Sequence, residues 1–576
     1  MGLMAKMKNR SIFSLKKRLM LLSVPFFVFL FVCNLQAQDN EKKVKFIYPL
    51  DVPLSLSGDY GELRGNHFHG GIDFRVGGVV GAPIKATADG YVSKITVSPT
   101  GYGNALYITH PNGYVSVHGH LLKYADHIQK FVRDYQFENE SFAVTINLGP
   151  DKFPVKQGER IAYAGNSGSS GGPHLHFEIR DEENLPLDIL DRDYIKTTDK
   201  MPPVFNRVEF FGYSDICGVP QCVKVARPKE GVIRVPQNFY VAIDAVDKME
   251  GTGAKLAVSE YKVYLDGAMK FEFVLGEVPF GETKYINSLI EYSLKSRTGK
   301  PFIKSYVEPG NMLDYKLWYE NDGIMVLDDT LTHKVKIVVS DYKGNSSTRT
   351  YVVKRDDSIM PVDLGIAADG AYMAWYLANV YEKDGLKITV PAASLYRSLY
   401  FKLDTLDVRV RPYSPVWRIH TPEIPLHSPA TVSVKYEGPN ELADKALLAL
   451  VRKDGSLSGA GGSVEDSLLT AKLYAFGNYT VAIDTVAPSV NSSFKDGAVL
   501  QGGQVSFVIK DKLSGIKDYR VEIDGHWVVA EFDAKNARLS VPLAEARIRK
   551  GIMHSLKIVV TDNKGNQKVL NRKFQW

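Results

Sequence analysis

Eight of the chain's 13 histidines fall between positions 67 and 176: His67, His69, His110, His118, His120, His127, His174 and His176. An even spread along the chain would put about 2.5 there. Most of the excess sits in three short clusters. "HFHGGIDF" offers His69 and Asp73, "VSVHGHL" offers His118 and His120, and "PHLHFE" offers His174 and His176. Residues i and i+2 of a β-strand share a face, so each His-x-His pair can aim both imidazoles into one cavity. Imidazole and carboxylate suit zinc, and a catalytic zinc site uses three protein ligands with a fourth position open for water. Two histidines and one carboxylate leave such a centre with one net positive charge, which favours acidifying that water and stabilising an oxyanion. The other histidines would then serve as acid, base or oxyanion partner. Each cluster alone also has a plain reading: a strand His-x-His is commonly structural, and His-Gly-Gly-Ile-Asp is a turn. Three in order, each beside a strand signal, point to a metal or catalytic centre. The "GNSGSSGGP" run at 165–173 supplies positive φ and lets backbone pass close to a groove, although by itself it reads as a loop.

The elements that must hold these clusters are short. "GYVSKITVS", "NALYITH", "GYVSVHGH" and "HLHFEIR" alternate apolar and polar residues and are broken by Gly, Asn and Pro, which predicts a mostly antiparallel β domain over 39–198. One helix interrupts it. In "KYADHIQKFVRDYQ" the positions Tyr124, Ile128, Phe131, Val132 and Tyr135 recur at helical spacing, and the stretch from about 122 to 153 reads as an insertion between strands.

Taken together, "HFHGGIDFRV", "GYVSVHGHL" and "GNSGSSGGPHLHFEIRD" closely resemble the lysostaphin-like, or LytM-type, zinc metalloendopeptidases that cleave peptide bonds in bacterial peptidoglycan. The resemblance covers roughly residues 45–195. It implies a small antiparallel β fold (the duplicated hybrid motif) with a groove across a sheet, and one Zn2+ per chain. It places the metal ligands on His69, Asp73 and His176, and the catalytic histidines on His120 and His174. It implies metal-assisted hydrolysis, in which the two catalytic histidines orient or deprotonate water and stabilise the tetrahedral oxyanion. His67 is then a neighbour, and His118 has no assigned role, sharing a strand face with His120 as a supporting or merely exposed residue. Glu178, two positions beyond His176, reads first as an ordinary strand carboxylate and second as a partner of that ligand. Some relatives of this type have lost ligands and regulate other wall hydrolases, so a non-catalytic wall-binding or activating protein is the alternative function. No ligand is missing here, which favours the enzyme.

The rest of the chain frames this domain. With 44% apolar and 24% charged residues over 576 positions, it is a folded, multi-module chain. The net charge of +6 is small and partly lies in the first 18 residues, which gives no reason to invoke nucleic acid. Residues 1–38 have the basic, apolar and polar sequence of a signal peptide, with cleavage near Ala37. The apolar run Leu19–Cys33 contains Pro25 and is too short for a ready bilayer span, so no membrane span is expected after cleavage. Val32 before Cys33 argues against a lipoprotein. Export follows, to the periplasm or cell envelope or as a secreted protein, and Cys217 and Cys222 in "CGVPQC" then favour a local disulfide. Beyond residue 198, "HKVKIVVSDYKGN" (333–345) matches "HSLKIVVTDNKGN" (554–566), and "YKVYLDG" (261–267) resembles "YRVEIDG" (519–525). The Asp-x-Lys-Gly-Asn element reads as a capped hairpin turn. The chain is expected to be mainly β, with the metallopeptidase domain followed by several immunoglobulin-like β-sandwich modules. These are one at 199–355 with an insertion, one or two over 356–485, and one at 486–576. Their partners would be wall polymer or another protein, and the substrate peptidoglycan peptides.

Overall fold

The computed structural model describes residues 44–216, 218–225, 231–250, 253–313, 316–359, 370–411 and 413–576. The expected signal peptide and Cys217 of the expected disulfide lie outside the described residues.

An antiparallel sheet organises the first domain. Its strands run in the order Leu56–Gly58, Ile72–Arg75, His174–Arg180, Val115–Gly119, Ala105–Thr109, Gly90–Val97 and Val144–Asn147, with Pro154–Val155 also pairing to Gly90–Val97. A second sheet of Pro83–Lys85, Arg160–Ala164 and Leu121–Tyr124 packs nearby. Alternating residues such as Phe74, Val92, Ile95, Ile108, Leu175, Phe177 and Ile179 fill one buried core. The helix Asp126–Glu138 buries Ile128 and Val132 in that core, as its spacing predicts. The stretch 122–153 is nevertheless more than an insertion. Leu121–Tyr124 pairs with Arg160–Ala164, and Val144–Asn147 pairs with Gly90–Val97 in the main sheet. Both flanks are woven into the fold as edge strands, Leu121 and Tyr124 on one and Val144 and Ile146 on the other being buried in the core.

Two later modules share one topology. In one sheet of the first, Ile233–Val235, Ser346–Arg355, Thr332–Ser340, Glu260–Leu265 and Ala268–Val274 lie side by side; in the last, Ala498–Val499, Gln567–Gln575, Met553–Asp562, Ile516–Ile523 and His526–Trp527 repeat that order. Each begins with a parallel pair at the same place. Each "D-x-K-G-N" element is a capped turn: Asp341 Oδ1 accepts from the amides of Lys343 and Asn345, and Asp562 Oδ1 from those of Lys564 and Asn566. Between the two modules, a further core surrounds Leu386, Ile388, Phe401, Trp417, Val432 and Tyr479. Among the described residues no helix is long and apolar enough to cross a membrane.

Cores are shared across the first junction. Met249, Ala254 and Leu256, from the second module, are buried in the core of the first domain, while Phe68 of the first is buried in the core of the second. The last module returns to the first domain as well. Arg133 on the helix pairs with Glu531 and Glu545, Arg547 bonds Asp134 at 2.7 Å, and Trp527 meets Phe137 edge-on.

Candidate active site

Asp73 and His176 are 103 positions apart in sequence but directly opposite each other on neighbouring strands. That register puts both side chains on one face of the sheet. His69 arrives from the loop ahead of Ile72–Arg75. Gly71 makes the close packing feasible: a Cβ there would fall 2.5 Å from the Phe177 carbonyl oxygen and 2.6 Å from Glu178 Cγ.

Three ligand-type atoms converge. His176 Nδ1 lies 2.9 Å from Asp73 Oδ1, His69 Nε2 lies 3.2 Å from the same oxygen, and the two nitrogens are 3.0 Å apart. All three residues are buried. His174 Nε2 lies 3.4 Å from Asp73 Oδ1, and the His120 ring is centred 4.8 Å from that of His174. The five residues named from the sequence are thus brought together.

What points each imidazole is a hydrogen bond behind it. Carbonyls and carboxylates accept only, so His69 donates Nδ1–H to the Asp59 carbonyl at 2.6 Å and His176 donates Nε2–H to Glu178 Oε1 at 2.6 Å. His120 donates Nδ1–H to the Ser167 carbonyl at 2.9 Å, and His174 donates Nδ1–H to the Gly172 carbonyl at 2.8 Å. In every case the other ring nitrogen is left facing the centre, the arrangement that metal-binding and base-type histidines need.

Two buried carboxylates set the electrostatics of the cluster. Glu178 is fully buried and also accepts from Tyr102 Oη at 2.6 Å and Arg180 Nε at 2.7 Å; despite burial, its pairing with His176 holds it down at about 2. Burial alone would raise Asp73, but the surrounding imidazoles outweigh it and keep the carboxyl well below the usual range. Burial would lower His176, yet its bonds to Asp73 and Glu178 raise it to about 9. Burial lowers His69 to about 4 and His120 to about 3. Two imidazole nitrogens and a carboxylate oxygen thus converge on one point, and that donor set fits zinc.

Several contributors carry no signal in residue spacing. Arg64 Nη2 lies 2.6 Å from Asp73 Oδ2, fixing which oxygen turns to the histidines. Tyr102, in "GYGN", packs its ring 5.1 Å from that of His176. The Asp59, Ser167 and Gly172 contacts are made by backbone, which residue identity does not reveal. Glu178 is the orienting partner of His176 rather than an ordinary strand carboxylate. His118 also departs from expectation. His120 has φ +59 just past the strand end, so the i, i+2 relation breaks; His118 points to the other side, fully buried against Phe177. His67 is exposed.

The cluster opens onto a cleft of about 480 Å³ lined by Arg64, Asp73, Arg75, His120, His174 and the 169–173 segment. The glycine and serine run is thus a wall of the cleft.

Residues 67–136 match Peptidase family M23, and residues 370–484 match a Zu5-like domain, a single match within the stretch read as one or two modules. An uncharacterized metalloprotease of Haemophilus influenzae is 36% identical over 111 residues, 19% of this chain and 18% of that protein. The peptidoglycan DD-endopeptidase ShyB of Vibrio cholerae is 34% identical over 125 residues, 22% of this chain and 23% of that protein. A crystal structure of a zinc-containing peptidase from Vibrio cholerae is 28% identical, covering 26% of this chain and 39% of that one, with a TM-score of 0.18. The matched region spans about a fifth of the length of the curated relatives. Within its first domain, the chain is thus similar to peptidase family M23 over residues 67–136.

Proposed function

We propose that this protein is an exported zinc metalloendopeptidase that hydrolyses peptide bonds in peptidoglycan stem peptides or cross-links during wall remodelling in the periplasm or cell envelope. The observation that carries the reading is the convergence of His69, Asp73 and His176, each imidazole turned inward by an acceptor behind it, with His120 and His174 alongside. The wall substrate is supported by the relatives, one of them a peptidoglycan DD-endopeptidase.

His69 Nε2, His176 Nδ1 and Asp73 Oδ1 would hold the metal. When bound, zinc supplies a Lewis acid and a water of lowered pKa. The substrate peptide lies along the cleft beside the 169–173 segment. His120, neutral because burial depresses it, presents Nε2 as a proton acceptor to the attacking water. His174, its ring centred 4.8 Å from that of His120, presents Nε2 beside it. Whichever imidazole takes the proton becomes an N–H donor to the oxyanion or to the leaving amine.

The test combines metal analysis with digestion of defined muropeptides, the products identified by mass. One zinc per chain and cleaved peptide bonds are expected for the wild type, with both lost in Asp73→Ala and His176→Ala. Full zinc content and full cleavage in His69→Ala would overturn the assignment. Zinc binding without any cleavage of muropeptides would favour the regulatory alternative.

A further inference from the structure

A second cluster of metal-type ligands lies away from the cleft, where the first domain joins the next module. Asp199 is in the connector, Asp247 follows the strand Asn238–Val246, and Asp341 opens the turn after Thr332–Ser340. One carboxylate oxygen from each lies within 4.8 Å of the others, and all three side chains are buried.

The three differ in how they are satisfied. Asp341 accepts from the amides of Lys343 and Asn345 and from Asn345 Nδ2, and Asp199 Oδ1 accepts from the Met201 amide. Asp199 Oδ2 and both oxygens of Asp247 have no hydrogen-bond partner among the described residues, and Asp247 is 0% exposed. The charged groups acting on Asp199 and Asp247 are other carboxylates: Asp341 and Glu250 on the first, Asp199 and Asp341 on the second. A fully buried carboxylate facing two more, with at most the next residue's amide beside it, is costly unless a proton or a cation joins it.

The duplicated module supplies an internal comparison. Asp484, Asp511 and Asp562 form the same triad, and Asn566 Nδ2 bonds the Asp484 carbonyl as Asn345 Nδ2 bonds that of Asp199. There the carboxylates are served by backbone: Asp511 accepts from the amides of Leu513 and Gly515, and Asp484 from those of Val486 and Ser514. Among the described residues no such pair of amides serves Asp247, which is where the two triads differ.

We propose that Asp199, Asp247 and Asp341 bind one Ca2+ ion that fastens the peptidase domain to the module after it. An all-oxygen set with three carboxylates selects a hard cation over zinc. The two free oxygens of Asp247 suit the bidentate, high-coordination binding of Ca2+ better than the octahedral, water-keeping Mg2+. The site is linked to the peptidase centre: Asp247 pairs with Leu256, the next residue's amide bonds Asp59 Oδ1 at 2.8 Å, and the Asp59 carbonyl holds His69.

The test is calorimetric titration of the full, zinc-loaded chain with CaCl2 and, separately, MgCl2, alongside thermal unfolding. Ca2+ is expected to bind at or below about 1 mM and to raise the melting temperature. Asp247→Asn and Asp199→Asn are each expected to lower the Ca2+ stoichiometry by one and to reduce the Ca2+-dependent thermal shift. Asp199→Asn, in the connector, decides the matter if Asp247→Asn does not fold. No Ca2+ uptake at millimolar concentration, a preference for Mg2+, or unchanged stoichiometry in a folded variant would overturn the proposal.

Discussion

Asp59 holds His69 with its backbone and the following module with its side chain: its carbonyl accepts His69 Nδ1–H at 2.6 Å while its carboxylate accepts the Ala257 amide at 2.8 Å. The residue that aims a candidate metal ligand is thus itself positioned from outside the domain.

A chain ending near residue 200 should accordingly be a poor stand-in for the whole. It would lose Met249, Ala254 and Leu256 from the core and expose Phe68. Burying a large apolar side chain contributes about 1.5–3 kcal/mol, so the loss is expected to lower the melting temperature by many degrees and to weaken zinc binding. Thermal unfolding and zinc competition against a chelator check this; an unchanged melting temperature would show that the first domain stands alone.

Glu178→Ala removes the acceptor that fixes the His176 tautomer and leaves Arg180 Nε without its carboxylate. Zinc affinity is expected to fall by about 10- to 100-fold, with Glu178→Gln milder because an amide oxygen still accepts. Affinities equal to wild type in both variants would mean that Tyr102 and packing suffice to orient the ring.

His120→Ala and His174→Ala should separate binding from chemistry. Neither residue supplies an atom to the triad of His69, Asp73 and His176. Zinc content is expected to stay at one per chain while muropeptide turnover drops by about 10²- to 10⁴-fold. Loss of zinc in either would move that histidine into the ligand set.

His118 predicts a pH effect rather than a catalytic one. Burial, with His110 as the charged neighbour, depresses it from 6.5 to about 3, so the folded state keeps it neutral. Between those values the unfolded chain binds the extra proton. Its contribution to stability is therefore complete above pH 6.5 and lost as the pH falls toward 3, by up to about 1.4 kcal/mol per pH unit. His118→Phe should keep zinc and turnover and flatten acid unfolding over that range; a large drop in turnover at neutral pH, with folding intact, would return His118 to the catalytic set.

Anchoring by the last module should depend on salt. Arg133 pairs with Glu531 and Glu545 across the interface, and Arg520 with Glu140. Arg133→Glu is expected to free that module, read as faster cleavage by added protease near residue 485 and a smaller difference between low and high salt. Identical cleavage kinetics would leave the apolar contact of Phe137 with Trp527 as the main hold.

Much of this was determined by the sequence alone. Alternation in "HLHFEIR" and its neighbours specified strands, because a two-residue period sends Leu175, Phe177 and Ile179 to the apolar core and His174, His176 and Glu178 to the other face. The crowding of histidines into three motifs pointed to a metal or catalytic centre, and the resemblance those motifs carry singled out the five residues that the fold gathers. The repeated "D-x-K-G-N" strands marked two modules of one topology. Tertiary structure decided what residue type cannot encode. It set which imidazole nitrogen faces the centre, because backbone carbonyls of Asp59, Ser167 and Gly172 take the others. It also separated His118 from His120, because one positive φ breaks a strand's alternation. Only the fold could leave Asp247 buried beside Asp199 and Asp341, since positions this far apart in sequence become neighbours through packing and not through pattern.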